Sequence, residues 1–357
     1  MRLFAAAVLV LFATPSMAAS AIPFHDIIAG VIDDYARPKF AALASSTATL
    51  RDDVAALCKA PSQPALTAAQ EAFRSAVVSY SEAEFLRMGP LGVDDRQERL
   101  LFWPDSKGIA LRQVQQAIAA KDPTAASPAT LSSKSVAMQG LGAVEFLLFG
   151  TGSADLAGAT GAYRCSYAAS ATSLIAGIAQ ALGSEWSDTR PGGASDAMLN
   201  PQPTSSDYRT ELEVINKIAA TLSFGNDTIR DQRLGPILSL STGTPKPRSA
   251  LFWRSGMTGK ALLANFSGLF DFFRAAKFEA ALDTSSRWVG RSIAFEFEGA
   301  LAAAADVPLS MDEAVKTPEG MLGLRQMYVS TGSLDTLDEN LAQAMGLSAG
   351  FSALDGD

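Results

Sequence analysis

A single charged residue, Glu145, interrupts the apolar run from Ser135 to Gly150. If that run is a buried helix, the carboxylate must meet a cation, a metal or strong hydrogen-bond donors, or else take up a proton, because an ionised group stripped of water without a partner is costly. Glu145 is therefore the leading candidate for a ligand-binding group. An ion pair with an arginine that fixes two helices in register is the competing reading. Gly142 lies three residues earlier on the same helix face and leaves a notch beside the carboxylate, open to a side chain, a water or a closely packed neighbour.

Two further segments offer groups that can join Glu145. Trp103-Pro104-Asp105-Ser106-Lys107-Gly108 places a carboxylate, a hydroxyl and an ammonium in a turn-forming loop behind an aromatic anchor. Asp105 can ligate a cation or accept from Arg254; equally, Asp105 or Ser106 can cap the helix that begins near Ile109. Arg254 and Ser255 follow a second aromatic pair, where the arginine can neutralise Glu145 or Asp105, or hold an anion in a bidentate manner. Glu145 and Asp105 are the candidate metal ligands. Glu84 stands three residues before Arg87 and is well spaced to pair with it on a helix, which leaves Glu82 freer for a site. Of Glu296 and Glu298, at least one should face solvent.

The one histidine, His25, excludes several enzymes. No His-Glu-x-x-His exists for a zinc peptidase, and a Ser-His-Asp triad would have to recruit a histidine close to the start of the chain. Ser255-Gly256-Met257-Thr258-Gly259-Lys260 resembles a phosphate loop only superficially, because Arg254 occupies the place of the first glycine and Ala261 that of the Ser or Thr. There is no Gly-x-Gly-x-x-Gly, haem-attachment or zinc-knuckle pattern.

The elements that must position these groups read as helices. Alanine and leucine are abundant, β-branched runs are scarce, and apolar residues recur at three and four. An all-α protein is expected, with helices near 24–59, 66–87, 109–121, 130–149, 161–186, 208–230, 257–275, 287–304 and 319–345. Pro38 should kink or divide the first of them. Thr67 with Gln70 and Ser310 with Glu313 have capping-box spacing, and Thr317 precedes a proline as an N-cap. Leu262, Leu263, Phe266, Leu269, Phe270 and Phe273 form a core stripe. Residues 187–207, rich in Pro, Gly, Ser and Asp, read as a linker between helical-bundle domains at 19–186 and 208–357. The echo of Leu101-Phe102-Trp103 in Leu251-Phe252-Trp253 hints at a divergent duplication.

Residues 1–18 have a secretory layout: Arg2, the apolar run Leu3–Ala13, then a small-residue site ending at Ala18. The mature chain should begin near Ala19, in the periplasm or outside the cell, without a lipid-anchored cysteine. It should also lack an apolar run long enough to span a bilayer. Cys58 and Cys165 remain, and in an oxidising compartment one disulfide is the expected use; closing a loop of about a hundred residues contributes roughly 4–5 kcal/mol on the chain-entropy view. The net charge of −8, one unit more negative without Arg2, argues against nucleic acid or an anionic membrane as partner.

Gly140-Leu141-Gly142-Ala143-Val144-Glu145 resembles the Gly-x-His-x-x-Glu signature of the imelysin family of bacterial periplasmic proteins, with Gly142 where the family usually has histidine. Tyr35-Ala36-Arg37-Pro38, the spacing of Phe73, Tyr80 and Met88-Gly89-Pro90, and the loop 101–108 are similar to the family's first half. Asp227–Leu234, Phe252–Gly256 and the end of the chain from Gly346 are similar to its second. The resemblance implies two helical-bundle domains and a role associated with iron uptake, with an iron-transport system as partner. It implies a ligand site at the junction of the two domains, built from Glu145, Asp105, Trp103, Lys107, Arg254 and Ser255, to which the residue reading adds Gly142, Ser106 and Glu82. Iron or another divalent metal is the implied cargo, but loss of the motif histidine shifts the expectation toward a chelated metal, a small ligand or a peptide. The family takes its name from a member described as a protease, so peptidase activity is the rival expectation, and an interaction domain that has lost metal binding is a third.

Overall fold

The computed structural model describes residues 24–305, 307–308 and 310–347. The secretory segment and the last ten residues of the family resemblance lie outside it. Among the described residues every regular element is helical, as composition and spacing require.

Three long helices build the first half. Arg37–Lys59 buries Leu43, Thr47, Leu50, Val54 and Leu57, a strict three-four alternation, against Ala162–Ser187, which buries Ala168, Ala171, Ile175, Ala179 and Leu182 at the same period. The small residues on the second helix let the two backbones approach closely. Cys58 and Cys165 form the expected disulfide, with Cα atoms 5.5 Å apart, at one end of this antiparallel pair. Phe40 stacks on Trp186 at the other end, centroids 6.0 Å apart. Gln63–Ala83 completes the layer and packs on Thr258–Ala275 of the second half, where Glu211–Asp227, Arg287–Ala305 and Pro318–Ala344 are also assembled. The stripe from Leu262 to Phe273 is core, and a single apolar cluster runs through both halves.

Pro38 divides the first helix in an orderly way. The backbone from Val31 to Ala36 is π-helical, and the α-helix restarts at Arg37 with Pro38 in its first turn, where no amide proton is needed. A second π segment, Thr228–Leu234, likewise ends just before Pro236 in the first turn of Gly235–Leu238. Capping follows the sequence at Ser310 and Thr317, which accept from Glu313 and Gly320. It does not at Thr67: the helix starts earlier, capped by Ser62, because Pro64 favours the first turn. Gln70 instead donates to Leu148 O. Residues 187–207 contain a short helix, Ala194–Leu199, that buries Met198, and Ser195 Oγ donates to Trp186 O.

The expectation that no segment is long and apolar enough to cross a bilayer needs correcting. Ala159–Ser187 passes on length and composition, its alanines raising its hydropathy, but 56% of that window is buried inside the fold. It is the central core helix of the first half.

A polar seam joins the halves, and it reassigns two carboxylates. Glu84, 3% exposed, does not pair with Arg87. It accepts from Arg233 Nη2 at 2.7 Å and Asn265 Nδ2 at 2.7 Å, both from the second half. The helix stops at Ala83, so the three-residue helical spacing to Arg87 does not apply; the Arg87 guanidinium covers the Phe224 ring at 3.9 Å. Glu82 binds Lys39 Nζ at 3.0 Å, and the same ammonium reaches Asp271 at 2.7 Å.

Asp338 is a second buried acid. Burial pushes its carboxyl well above the usual carboxylate range, against the opposing hydrogen bond from Asn226 Nδ2 at 2.7 Å. Asp338 Oδ1 and Asn226 Oδ1 both lack a hydrogen-bond partner, and a proton on the acid turns one of these two acceptors into a donor. A raised folded pKa means the native state holds the proton more tightly than the unfolded chain. The associated stability is complete below the ordinary carboxyl pKa and is lost as pH rises from there through the folded value. We expect Asp338→Asn, an isostere of the neutral acid, to flatten the decline in urea-unfolding free energy above pH 4. An unchanged pH profile would show that Asp338 is ionised in the fold.

Candidate functional site

The helix Gly140–Phe149 carries Glu145, and its ends are fixed by groups from elsewhere. Before it, Tyr167 Oη donates to Met138 O at 2.7 Å, and Gln139 Nε2 donates to Leu131 O at 3.0 Å and to Lys134 O at 2.9 Å. Gly140 has φ of +73°, and a Cβ there would lie 2.6 Å from the carbonyl oxygens of Arg99 and Leu100, so only glycine fits the turn. After it, Arg164 closes the C-terminus: Nε donates to Leu147 O at 2.7 Å, Nη2 to Phe146 O at 2.7 Å and Nη1 to Thr151 O at 2.8 Å. A cation on the orphan carbonyls also suits the negative end of the helix dipole. This positioning role of Arg164 escaped the sequence reading. The available signal was an arginine in the first turn of the expected helix 161–186, ahead of a long stretch without charge.

Opposite, the segment Leu251–Gly256 is a tight turn. Phe252 sits at φ of +59° with its side chain buried, packed edge-on against Phe73 at 6.0 Å. Met257 N donates to Phe252 O at 3.0 Å and Thr258 Oγ1 to Leu251 O at 2.7 Å, which holds the turn shut. Its output is Ser255, whose backbone N–H and hydroxyl both donate to Glu145 Oε1, at 2.9 and 2.8 Å. The buried carboxylate is thus met by paired donors. Desolvation still holds its pKa above the ordinary range; the Ser255 donors and the charge of Arg254 pull the other way. Among the described residues no arginine or lysine lies within ion-pair distance of Glu145, so the competing picture of a simple Arg-Glu pair does not describe it.

Glu145 opens on a cavity of about 400 Å³ between the two segments. Gly142, Phe146, Trp103, Asp105, Ser106, Trp253 and Arg254 line it, with Arg248 contributed by the turn before Leu251. A Cβ on Gly142 would meet nothing within 4 Å, so the notch is open space facing the cavity. Trp103 Nε1 is anchored on Gln232 O at 2.9 Å. Asp105 serves as a cap: Oδ1 accepts from Ile109 N at 2.7 Å and Oδ2 from Ala110 N at 2.9 Å, while it still borders the cavity. Arg254 is half-buried, stacked over Trp253 at 4.4 Å and Phe146 at 5.6 Å.

The sequence candidates are therefore mostly brought together, with exceptions. Ser255 sits behind Glu145 rather than on the cavity wall. Lys107 is exposed and does not line the cavity, because the turn of Asp105–Gly108 carries it outward. Glu82 is tied up with Lys39 in a different groove. His25 is at the surface, 3.9 Å from Glu211. Among the described residues no three His, Cys, Asp or Glu side chains are grouped to hold a metal ion.

The sequence model of the imelysin family matches residues 36–336, and the chain belongs to that family. Its fold is similar to that of an imelysin-like protein from Psychrobacter arcticum 273-4, with TM-score 0.75 and 19% identity over 92% of this chain and 97% of that one. It is also similar to a protein from Parabacteroides distasonis ATCC 8503 described as a candidate iron-regulated protein A precursor, with TM-score 0.68 and 12% identity over 88% and 94% of the two chains. No curated protein matches the chain.

Proposed function

We propose that this chain is an exported imelysin-type binding protein associated with iron handling, and that its ligand occupies the cavity beside Glu145. The reading also keeps the division into two helical halves, 19–186 and 208–357, with the site at their junction. The observation that carries it is the convergence of Glu145, the open Gly142 notch and Arg254 on one 400 Å³ space bordered by Trp103 and Trp253. A cavity of that size suits a small molecule. The description of one structural relative as iron-regulated favours iron as the cargo. The donor set favours a chelate over the bare ion: Glu145 and Asp105 are the acidic groups on the cavity wall, and the oxygens of Asp105 are already engaged by backbone amides.

A peptidase reading finds less support. Ser255 Oγ touches Glu145 but also lies 3.1 Å from Phe252 O, is 6% exposed, and is absent from the cavity wall, so it is poorly placed to attack a substrate.

Equilibrium dialysis of the mature protein against iron salts and a panel of ferric chelates tests the proposal. Saturable uptake of at least one chelate, weakened tenfold or more by Glu145→Ala, is expected. Uptake no greater than by an unrelated acidic protein would overturn the assignment, as would chelator-sensitive cleavage of unfolded substrates that is lost in the same variant.

A further inference from the structure

We infer that the cavity recognises its ligand as an anion, Arg254 and Arg248 together taking the carboxylates of a small polycarboxylate, either free or wrapped around a metal. The inference rests on the binding role proposed above and specifies the ligand's chemistry.

Arg254 is half-buried, yet among the described residues its guanidinium has neither a hydrogen-bond acceptor nor a carboxylate within 4 Å. Its contacts are the faces of two rings, Trp253 at 4.4 Å and Phe146 at 5.6 Å. Stacking uses the flat face of a guanidinium and none of its N–H groups, which lie at the edge. The rings therefore hold the cation in place while, among the described residues, its N–H donors remain without a protein acceptor. An incoming carboxylate matches that fork in a bidentate manner.

Arg248 repeats the arrangement on the same indole, its guanidinium 5.5 Å from the Trp253 ring centre. Its ion pair, with Asp312 at 3.9 Å, is largely exposed and holds it weakly. Two cations gathered around one ring fit a ligand carrying at least two carboxylates, and they repel a bare metal ion.

The acids of the cavity leave the two guanidinium groups free, because their oxygens are engaged elsewhere. Asp105 gives both oxygens to the helix it caps, and Glu145 Oε1 is occupied by the two donors of Ser255. Desolvation also favours the neutral form of Glu145, whose hydroxyl can donate to an incoming carboxylate. With glycine at 142 there is no imidazole to seek a metal directly.

The test is isothermal titration of the mature protein with citrate, ferric citrate, acetate and a neutral ferric trihydroxamate. Citrate or ferric citrate should bind, at least tenfold more tightly than acetate or the neutral chelate, and more weakly as salt is added. Arg254→Ala should lower that affinity tenfold or more, Arg254→Lys should recover only part of it, and Lys121→Ala at a remote exposed site should change nothing. Citrate bound alone identifies the free carboxylate as ligand; tighter binding of ferric citrate identifies the chelate. If the neutral chelate binds as well as ferric citrate, or Arg254→Ala binds undiminished with unchanged circular dichroism, the anion assignment fails while the cavity's binding role stands. If no member of the panel binds, the binding role fails with it.

Discussion

Replacing Arg233 with methionine is expected to lower the unfolding free energy by about 3–5 kcal/mol, the cost of leaving a buried ion without its partner. Arg233 and Glu84 are 6% and 3% exposed and meet at 2.7 Å across the seam between the halves. Once the cation is gone, Glu84 keeps only the amide of Asn265, which does not neutralise it. The carboxyl must then ionise in an apolar setting or take up a proton. The second substitution Glu84→Gln should restore much of the loss, because it removes the stranded charge and keeps an acceptor for Asn265. Urea unfolding of the wild type and the two variants measures both effects. A single-variant loss below about 1 kcal/mol would mean the pair is wet and the seam a surface feature.

Removing the disulfide comes next in size. Cys58 and Cys165 are 107 residues apart in the chain, so the bond ties the end of Arg37–Lys59 to the start of Ala162–Ser187 and limits the unfolded chain over most of the first half. The double variant Cys58→Ser with Cys165→Ser should lose roughly 4 kcal/mol, and reduction of the wild type should give a similar loss. The effect is expected mainly in the midpoint of denaturation. The helix pair itself should persist, because its three-four apolar stripe does not depend on the sulfur atoms. If the midpoint in urea is unchanged on reduction, the unfolded chain is already compact in this region.

The fold was legible because its signals are local. Apolar residues at three and four mark each long helix, Pro38 marks where the first of them changes register, and the placement of the long helices needed no knowledge of tertiary contacts. Glu145 was legible for the same reason: one charge in an apolar helix must be answered from outside it. What answered it was not. The turn that aims both donors of Ser255 at one oxygen depends on Phe252 at positive φ, and no local signal in a phenylalanine announces that conformation. Glu84 misled because helical spacing to Arg87 was assumed past the point where the helix ends. Lys107 misled because composition brings a charge to a loop but does not say which side of the loop it faces. Arg164 was overlooked because a lone arginine in an apolar helix reads as an interruption, when here it supplies the donors that another helix's end requires.

The central claim is that the space beside Glu145 holds the ligand, and filling that space tests it most directly. Gly142 lines the cavity and has room for a Cβ, so Gly142→Phe should plug the opening without disturbing the backbone. Tryptophan fluorescence titration with ferric citrate reads occupancy through Trp103 and Trp253, which border the same space. The account predicts saturable quenching in the wild type and at least a tenfold loss of affinity in the plugged variant at unchanged thermal stability. Equal affinity in the two proteins would place the ligand elsewhere and contradict the account.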